Sequence, residues 1–218
     1  MRCEIEPWCW RTGAQARERG AVVDEFLGVQ PESRVRVLLE QHVSRESDDG
    51  RARARTLREQ GKLTQARAVL DQARAGDPEN QRLIPDLANV LIDLGEFDQA
   101  RNVLGSAPGG AAFDGEMRKA MARLAFAEVA ATSPSAEELS QAIESDPHDC
   151  ESRYRLGALH IVRGEYEAAL EQFIELLRVD RAFRDDAGRK ALLSVFEMLA
   201  SDHPLVGRYR ARMSSLLH

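Results

Sequence analysis

Lysine is nearly absent from this chain. Lys62, Lys119 and Lys190 are the only three, so almost all positive charge is arginine, a bias read as genomic and not as arginine-specific recognition. Cysteine is equally scarce: Cys3, Cys9 and Cys150 form no Cys-x-x-Cys and no even framework, which excludes a disulfide scaffold of the secreted kind. No run approaches the roughly 18 apolar residues of a membrane span. The first ten residues, MRCEIEPWCW, place acids and a proline where a signal peptide carries its apolar core, so a cytoplasmic protein with no membrane partner is expected. His42, His148, His160, His203 and His218 lie singly, without the spacing that holds zinc, so neither a metal nor a cofactor is expected. No glycine loop follows a strand in the manner of a phosphate cradle; Gly109-Gly110 reads as a linker. The net charge of −6, spread over the chain, lacks the concentrated positive footprint that nucleic acid demands. Asp48-Asp49 and Asp185-Asp186 read as linker charge and helix N-terminal charge, not as a general acid and base, so no catalytic residue is assigned and no enzyme is expected.

What the chain does have is an ordinary globular balance, 43% hydrophobic and 30% charged, and one phrase said twice. Residues 61–70 read GKLTQARAVL and residues 95–104 read GEFDQARNVL, a recurrence at 34 residues. That period resembles the tetratricopeptide repeat, a helix-turn-helix unit that buries its apolar face only by stacking on copies of itself. Gly61 and Gly95 are expected in the turn between paired helices, where a residue without Cβ frees the backbone. Ala66 and Ala100 are small so that two helices can approach, and Pro78 closes the unit.

In order, residues 1–19 carry Trp8 and Trp10 but no sustained period, and read as an unassigned, disordered or non-native leader. GAVVDEFLG, from Gly20, reads as a short strand, followed after Pro31 by a helix capped by Ser33 and carrying Val35, Leu38, Leu39, His42 and Val43. Residues 44–50 read as a polar linker. Arg51, Arg55 and Arg58 then share one helix face, either a basic docking strip or the solvated outer face of a capping repeat, the second preferred. Helices are expected near 81–94 and 97–106. Beyond a glycine-rich break at 105–115, a helix over 116–131 with Met117, Met121, Leu124 and Val129 on one side precedes another starting at Ser133-Pro134. This third repeat lacks its turn glycine and is held only by spacing. Tyr154, Leu156-Gly157, Gly164, Tyr166, Ala169 and Phe173 mark a clean fourth repeat, and 185–199 with 204–217 form a final pair, in which Leu205, Tyr209, Met213 and Leu216 make one apolar stripe that seals the last repeat. The expected class is mainly α, a tetratricopeptide-type α-solenoid over 48–218, preceded at 20–47 by a strand-helix piece.

The strand-helix piece, the charged linker, the degenerate repeats and the run DDAGRKALLSVFEMLASDHPLVGRYRARMSSLL resemble the bacterial YbbN/CnoX proteins, thioredoxin-like chaperedoxins fused to such repeats. The match runs from about Gly20 to the end and is most specific over Asp185–Lys190 and Pro204–Leu217. The resemblance implies a cytosolic stress-response holdase and co-chaperone that binds unfolded or oxidation-damaged clients and hands them to a GroEL-type chaperonin. It places the chaperonin contact in the C-terminal region, by position Arg208, Tyr209, Arg212, Met213 and Leu216. Residues 20–47 would be the last strand and helix of a thioredoxin fold. The cysteine-bearing and cis-proline strands of that fold are absent, and Cys3 and Cys9 do not replace them. A truncated or frame-shifted gene product is therefore expected at the N-terminus.

In stacked repeats the first helix of each pair lines the groove, which directs Arg82, Asn89, Ile92 and Asp93 of the second repeat and Tyr154, Ala158 and Ile161 of the fourth toward a client, unless they are ordinary packing residues. Asn89 stands at one place of the clamp that reads a C-terminal carboxylate in some repeat proteins. The partnering lysines are missing, which favours an apolar or extended client segment. A thiol-disulfide oxidoreductase in an intact parent protein and a plain interaction scaffold are the competing classes.

Overall fold

The computed structural model describes residues 4–8, 13–18, 21–26, 45–108, 115–200 and 202–217. The chain divides into two compact units, Met1–Ala52 and Arg53–His218.

The first unit holds three strands, β1 (Glu4–Trp8), β2 (Gly13–Glu18) and β3 (Ala21–Phe26), in one antiparallel sheet of order β1-β2-β3. Glu4 pairs with Arg17 and Trp8 with Gly13; Ala14 pairs with Phe26 and Glu18 with Ala21, with a bulge between Ala16 and Arg17. The strand expected after Gly20 is therefore present, and it has a partner. The expectation that residues 1–19 carry no regular structure is corrected, since β1 and β2 lie there. Glu4-Ile5-Glu6 and Ala14-Gln15-Ala16-Arg17 do alternate polar with apolar, but each alternation is short, is built from alanine or broken by Pro7, and is outweighed by the pairing that creates the strands. The helix expected after Ser33, with His42, lies outside the described residues.

Ten helices follow among the described residues: α1 (Glu46–Glu59), α2 (Leu63–Gly76), α3 (Leu83–Asp93), α4 (Phe97–Gly105), α5 (Gly115–Ala131), α6 (Ala136–Ser145), α7 (Cys150–Val162), α8 (Tyr166–Val179), α9 (Ala187–Met198) and α10 (Pro204–Leu217). The 44–50 linker is corrected: from Glu46 it is the first turn of α1, where Glu46, Asp48 and Asp49 complement the positive end of the helix dipole. The Arg45 amide donates to Asp48 Oδ2 at 3.0 Å. The doubled phrase behaves as its chemistry requires. Gly61, Gly95 and Gly164 turn the chain at φ 72°, 76° and 76°, and Ala66, Ala100 and Ala169 are each 0% exposed where paired helices cross. α6 opens on a full capping box, Ser135 and Glu138 each satisfying the other's backbone amide.

Two cores form, and α5 is the wall between them. Leu70, Leu83, Leu87, Leu91 and Leu104 bury with Met117, Ala120, Leu124 and Ala127 of α5. Phe126, from the same helix, joins Leu170, Phe173, Leu177, Leu192, Val195, Phe196 and Tyr209. Met121, expected on the apolar side, is among the exposed apolar residues. The first helices stack in the manner of a solenoid, α2 on α3, α3 on α4 and α5, and α4 on α5. The second part closes instead. α5 packs on α7 and α9, α7 on α8, and α8 on α9, while α6 packs on α7 and makes little contact with α5. The third repeat is degenerate in this physical sense: its two helices do not form a hairpin, because Thr132-Ser133-Pro134 replaces the left-handed glycine turn. α10 lies on α8.

Candidate binding surface

Along the first helices of the leading repeats, arginines reach from one helix to the next. Arg55 Nε donates to Asp86 Oδ1 at 3.0 Å. Arg58 and Arg123 both grip the Asp93 carboxylate, from α1 and α5 respectively. Arg123 Nη1 also donates to the Asn89 carbonyl at 3.1 Å and to its Oδ1 at 3.3 Å. Arg55 and Arg58 tie α1 to α3, and the Arg55 side chain stays 52% exposed, in keeping with the preferred reading of a solvated face, while Arg51 pairs with Asp48 of its own helix at 3.3 Å. Ties of the same kind run along the second helices, Arg67 to Glu96 at 2.8 Å and Arg74 to Ser106 Oγ at 3.1 Å. Half-buried pairs of this sort hold register more than they stabilise, contributing about 0–1 kcal/mol where solvent reaches them.

Between α1, α3 and the start of α5 lies a cleft of about 180 Å³, with Ala54, Leu70 and Val90 as its apolar parts and Arg55, Arg58, Glu59, Asp86, Asn89 and Glu116 as its polar parts. Of the groove residues expected in the second repeat, Asn89 lines this cleft and Asp93 sits beneath Arg58. Arg82 is half-buried at the N-terminus of α3, its amide donating to Asn80 Oδ1 at 3.1 Å. Ile92 is 6% exposed and belongs to the first core, which removes it from any groove. Sequence reasoning weighed Arg55 only as part of a strip on α1 and did not single out Arg123, which ties Asn89 and Asp93 to α5. The signal was available: Arg55, Asn89 and Arg123 stand 34 residues apart, the repeat period itself.

In the fourth repeat the expectation is corrected further. Ala158 and Ile161 are 0% and 4% exposed and lie in the second core. Tyr154 is half-buried, its ring 5.9 Å from Phe173 and 6.4 Å from Phe183, with the Arg184 guanidinium 5.8 Å from its centroid. Burial pushes its hydroxyl pKa up. Ala158 and Ile161 are buried where α7 packs on α5 and α8, and α9 in turn closes on α5. That seam leaves a cleft of about 280 Å³, lined by Ala122, Ala125 and Phe126 of α5, Tyr154, Arg184, and Ala187, Lys190, Ala191 and Ser194 of α9.

The stripe expected on α10 points inward. Tyr209 is 0% exposed, and Leu205, Met213 and Leu216 pack against the second core. The Tyr209 hydroxyl donates to Glu171 Oε1 at 2.5 Å, and Arg212 Nη2 donates to Glu171 Oε2 at 3.0 Å. The Arg212 hydrogen bonds, with help from Tyr209, hold the Glu171 carboxyl below its usual range; burial and the Glu171 carboxylate push Tyr209 up to about 12. Arg208 pairs with Glu167. Cys150 opens α7 as a buried free thiol whose pKa burial raises, the reverse of an activated nucleophile. Among the described residues no group of acids, histidines and cysteines is arranged to hold a metal, and no helix is long and apolar enough to cross a membrane.

Two tetratricopeptide-repeat family models match the chain, one over residues 57–124 and one over 129–218. No curated protein matches it. Among solved structures, a domain of a Vibrio parahaemolyticus protein of unknown function is 22% identical, covering 78% of this chain and 99% of that one at a TM-score of 0.35. A tetratricopeptide repeat protein from Parabacteroides merdae is 19% identical over 79% of this chain and 67% of that one, with a TM-score of 0.35. YrrB, whose structure is that of "a TPR protein with an unusual peptide-binding site", is 16% identical over 82% and 96%, with a TM-score of 0.36.

Proposed function

Because residues 57–124 and 129–218 are tetratricopeptide repeats, a protein-binding architecture, we propose that this chain is a holdase-type co-chaperone that binds extended segments of unfolded or oxidation-damaged proteins. The observation that carries the reading is the cleft between α1, α3 and α5. Donors and acceptors of both signs, Arg55, Asp86, Asn89 and Glu116, stand over the apolar floor of Ala54, Leu70 and Val90. Such a lining suits the amides and carbonyls of a backbone whose side chains vary, and it selects no single charge. At near-stoichiometric amounts the chain is expected to suppress aggregation of a heat- or hypochlorite-treated client, and Asn89→Ala to weaken that suppression. Unchanged light scattering would refute the holdase reading.

The resemblance to the YbbN/CnoX proteins extends the proposal to transfer of clients to a GroEL-type chaperonin through α10. With Tyr209, Met213 and Leu216 turned to the core, the face left for such a contact carries Arg208 and Arg210, both exposed. Chaperonin pull-down is expected to succeed with the full chain and to fail with Arg210→Glu. Equal recovery of both would remove this face from the contact. A plain interaction scaffold is the second reading, favoured by the cleft's arginines being paired already within the chain. It predicts no effect on client aggregation.

A further inference from the structure

Helices α9 and α10 join the rest of the helical unit through one segment, residues 180–186, which begins after Val179 and ends before Ala187. That segment holds strained backbone. Among the described residues, Arg184, Asp185 and Asp186 are the non-glycine positions with positive φ, at 44°, 56° and 67°. Three consecutive L residues there crowd each Cβ against the following carbonyl, a conformation that persists only when the surrounding packing enforces it. The segment is pinned on one side to α7, by Arg184 to Glu151 at 2.8 Å and Phe183 against Tyr154, and on the other to α9, by Asp185 to Lys190 at 2.5 Å and Asp186 to Arg189 at 3.1 Å, and it is held in place by the packing of α9 and α10. Gly188 lets α9 press onto α8, where an added Cβ would stand 2.5 Å from Leu176 Cδ2 and 3.3 Å from the Leu177 amide nitrogen. Leu192, Val195, Phe196, Val206 and Tyr209 complete the second core. Toward α5 the fit is looser: small side chains, the cleft of about 280 Å³, and one exposed ion pair, Arg118 to Glu197 at 3.6 Å.

We propose that α9 and α10 exchange between two copies of this chain, each pair closing the ring of α5, α7 and α8 in the other copy. The occupant is a second copy because the receiving surface is the one α9 already fills: the contacts of α9 and α10 with α5 and α8 are reproduced across the dimer, and the exposed pairs of the segment itself, Arg184 to Glu151 and Asp185 to Lys190, are given up. What changes is the hinge. Straightened, residues 180–186 span up to roughly 23 Å and leave the left-handed region. Strain is relieved at two hinges, against the translational freedom lost on association, and short strained hinges are where such exchange is favoured. Because α9 and α10 must leave the core first, exchange accompanies refolding at high protein concentration and not simple mixing of folded chains.

The test uses the full chain with Cys3→Ser and Cys9→Ser, Cys150 being buried. Isotope-labelled Arg118→Cys chains and unlabelled Glu197→Cys chains are unfolded together, refolded concentrated, and treated with a short bis-maleimide. The doubly substituted chain, cross-linked within one monomer, calibrates the yield. The expected result is a labelled-to-unlabelled cross-link in a species of twice the 24.3 kDa chain mass, replaced by monomer when refolding is dilute. Asp185→Gly with Asp186→Gly relaxes the hinge in the monomer and should lower the dimer fraction about tenfold. Monomer at every refolding concentration, or a dimer without the mixed cross-link, would overturn the proposal.

Discussion

Gly157→Ala tests how tightly the second core is closed. A Cβ at 157 would lie 2.5 Å from Phe173 Cε1, 2.7 Å from Cζ and 3.1 Å from Cδ1. The ring cannot swing away: Phe173 is 0% exposed, and its ring is stacked on Phe126 with centroids 5.7 Å apart and planes inclined by 25°. Two effects oppose. Alanine within a helix gains about 1 kcal/mol over glycine in propensity, whereas overpacking a filled core costs about 1–3 kcal/mol. Because the clash is with an enclosed ring, the second effect should win by up to roughly 2 kcal/mol, which for a chain of this size lowers Tm by up to about 8 °C. Gly207→Ala in α10 isolates the first effect. Nothing lies within 4 Å of its Cβ position, and it should stabilise by about 0.5–1 kcal/mol. Urea unfolding followed by circular dichroism gives both values. Adding Phe173→Leu to Gly157→Ala should recover part of the loss, with a coupling of about 1 kcal/mol in the double-mutant cycle. If Gly157→Ala matches the gain of Gly207→Ala, the close crossing of α7 and α8 is refuted.

Four further outcomes follow from the ion pairs, the buried phenol and the cap. Asp93→Ala removes the carboxylate shared by Arg58 and Arg123, two half-buried pairs of at most about 1 kcal/mol each, and should cost about 1–2 kcal/mol in urea unfolding; a cost near zero would make the tie ornamental. Tyr209 has a folded pKa of about 12 against an unfolded value near 10, so the unfolded chain releases its proton first and stability falls as pH rises through that window. Tyr209→Phe should remove much of this alkaline slope, leaving the part due to Tyr154. Glu171 is held below its usual range, so its contribution is present above the unfolded value near 4.3 and is lost as pH falls through the folded one. The stability difference between wild type and Glu171→Gln should therefore shrink in acid, and a pH-independent gap would contradict the Arg212 and Tyr209 hydrogen bonds. Ser135→Ala removes the cap of α6 and should cost about 1 kcal/mol by thermal unfolding.

The repeat half of the chain was legible because its signals are local. A glycine at φ near 76° announces a turn whatever surrounds it, and α10 runs from Pro204 to Leu217 as its sequence expects. The candidate cleft was legible only in part. Asn89, named from its place on the first helix, lines the candidate cleft, whereas Asp93 is taken up by Arg58 and Arg123, and Ile92, Ala158 and Ile161 occupy comparable places and are buried. Helical spacing assigns a side chain to a face without saying what covers that face. β1 and β2 carried only a few alternating residues, too weak a local signal for strands that depend on each other.

By itself, then, the sequence determined the helices, their turn glycines, the small alanines at their crossings and the 34-residue period, all set by neighbours a few positions apart. Tertiary structure alone decided that the array does not stay open. α5 has apolar residues on two sides, Met117 and Leu124 toward one core and Phe126 toward the other. Which helix meets its second side depends on shapes far away in the chain: Ala187 and Ala191 across from Ala122 and Ala125, and Gly188 against Leu176. Close packing selects such partners by volume and not by periodicity, so the closure of α9 on α5 exists only in three dimensions.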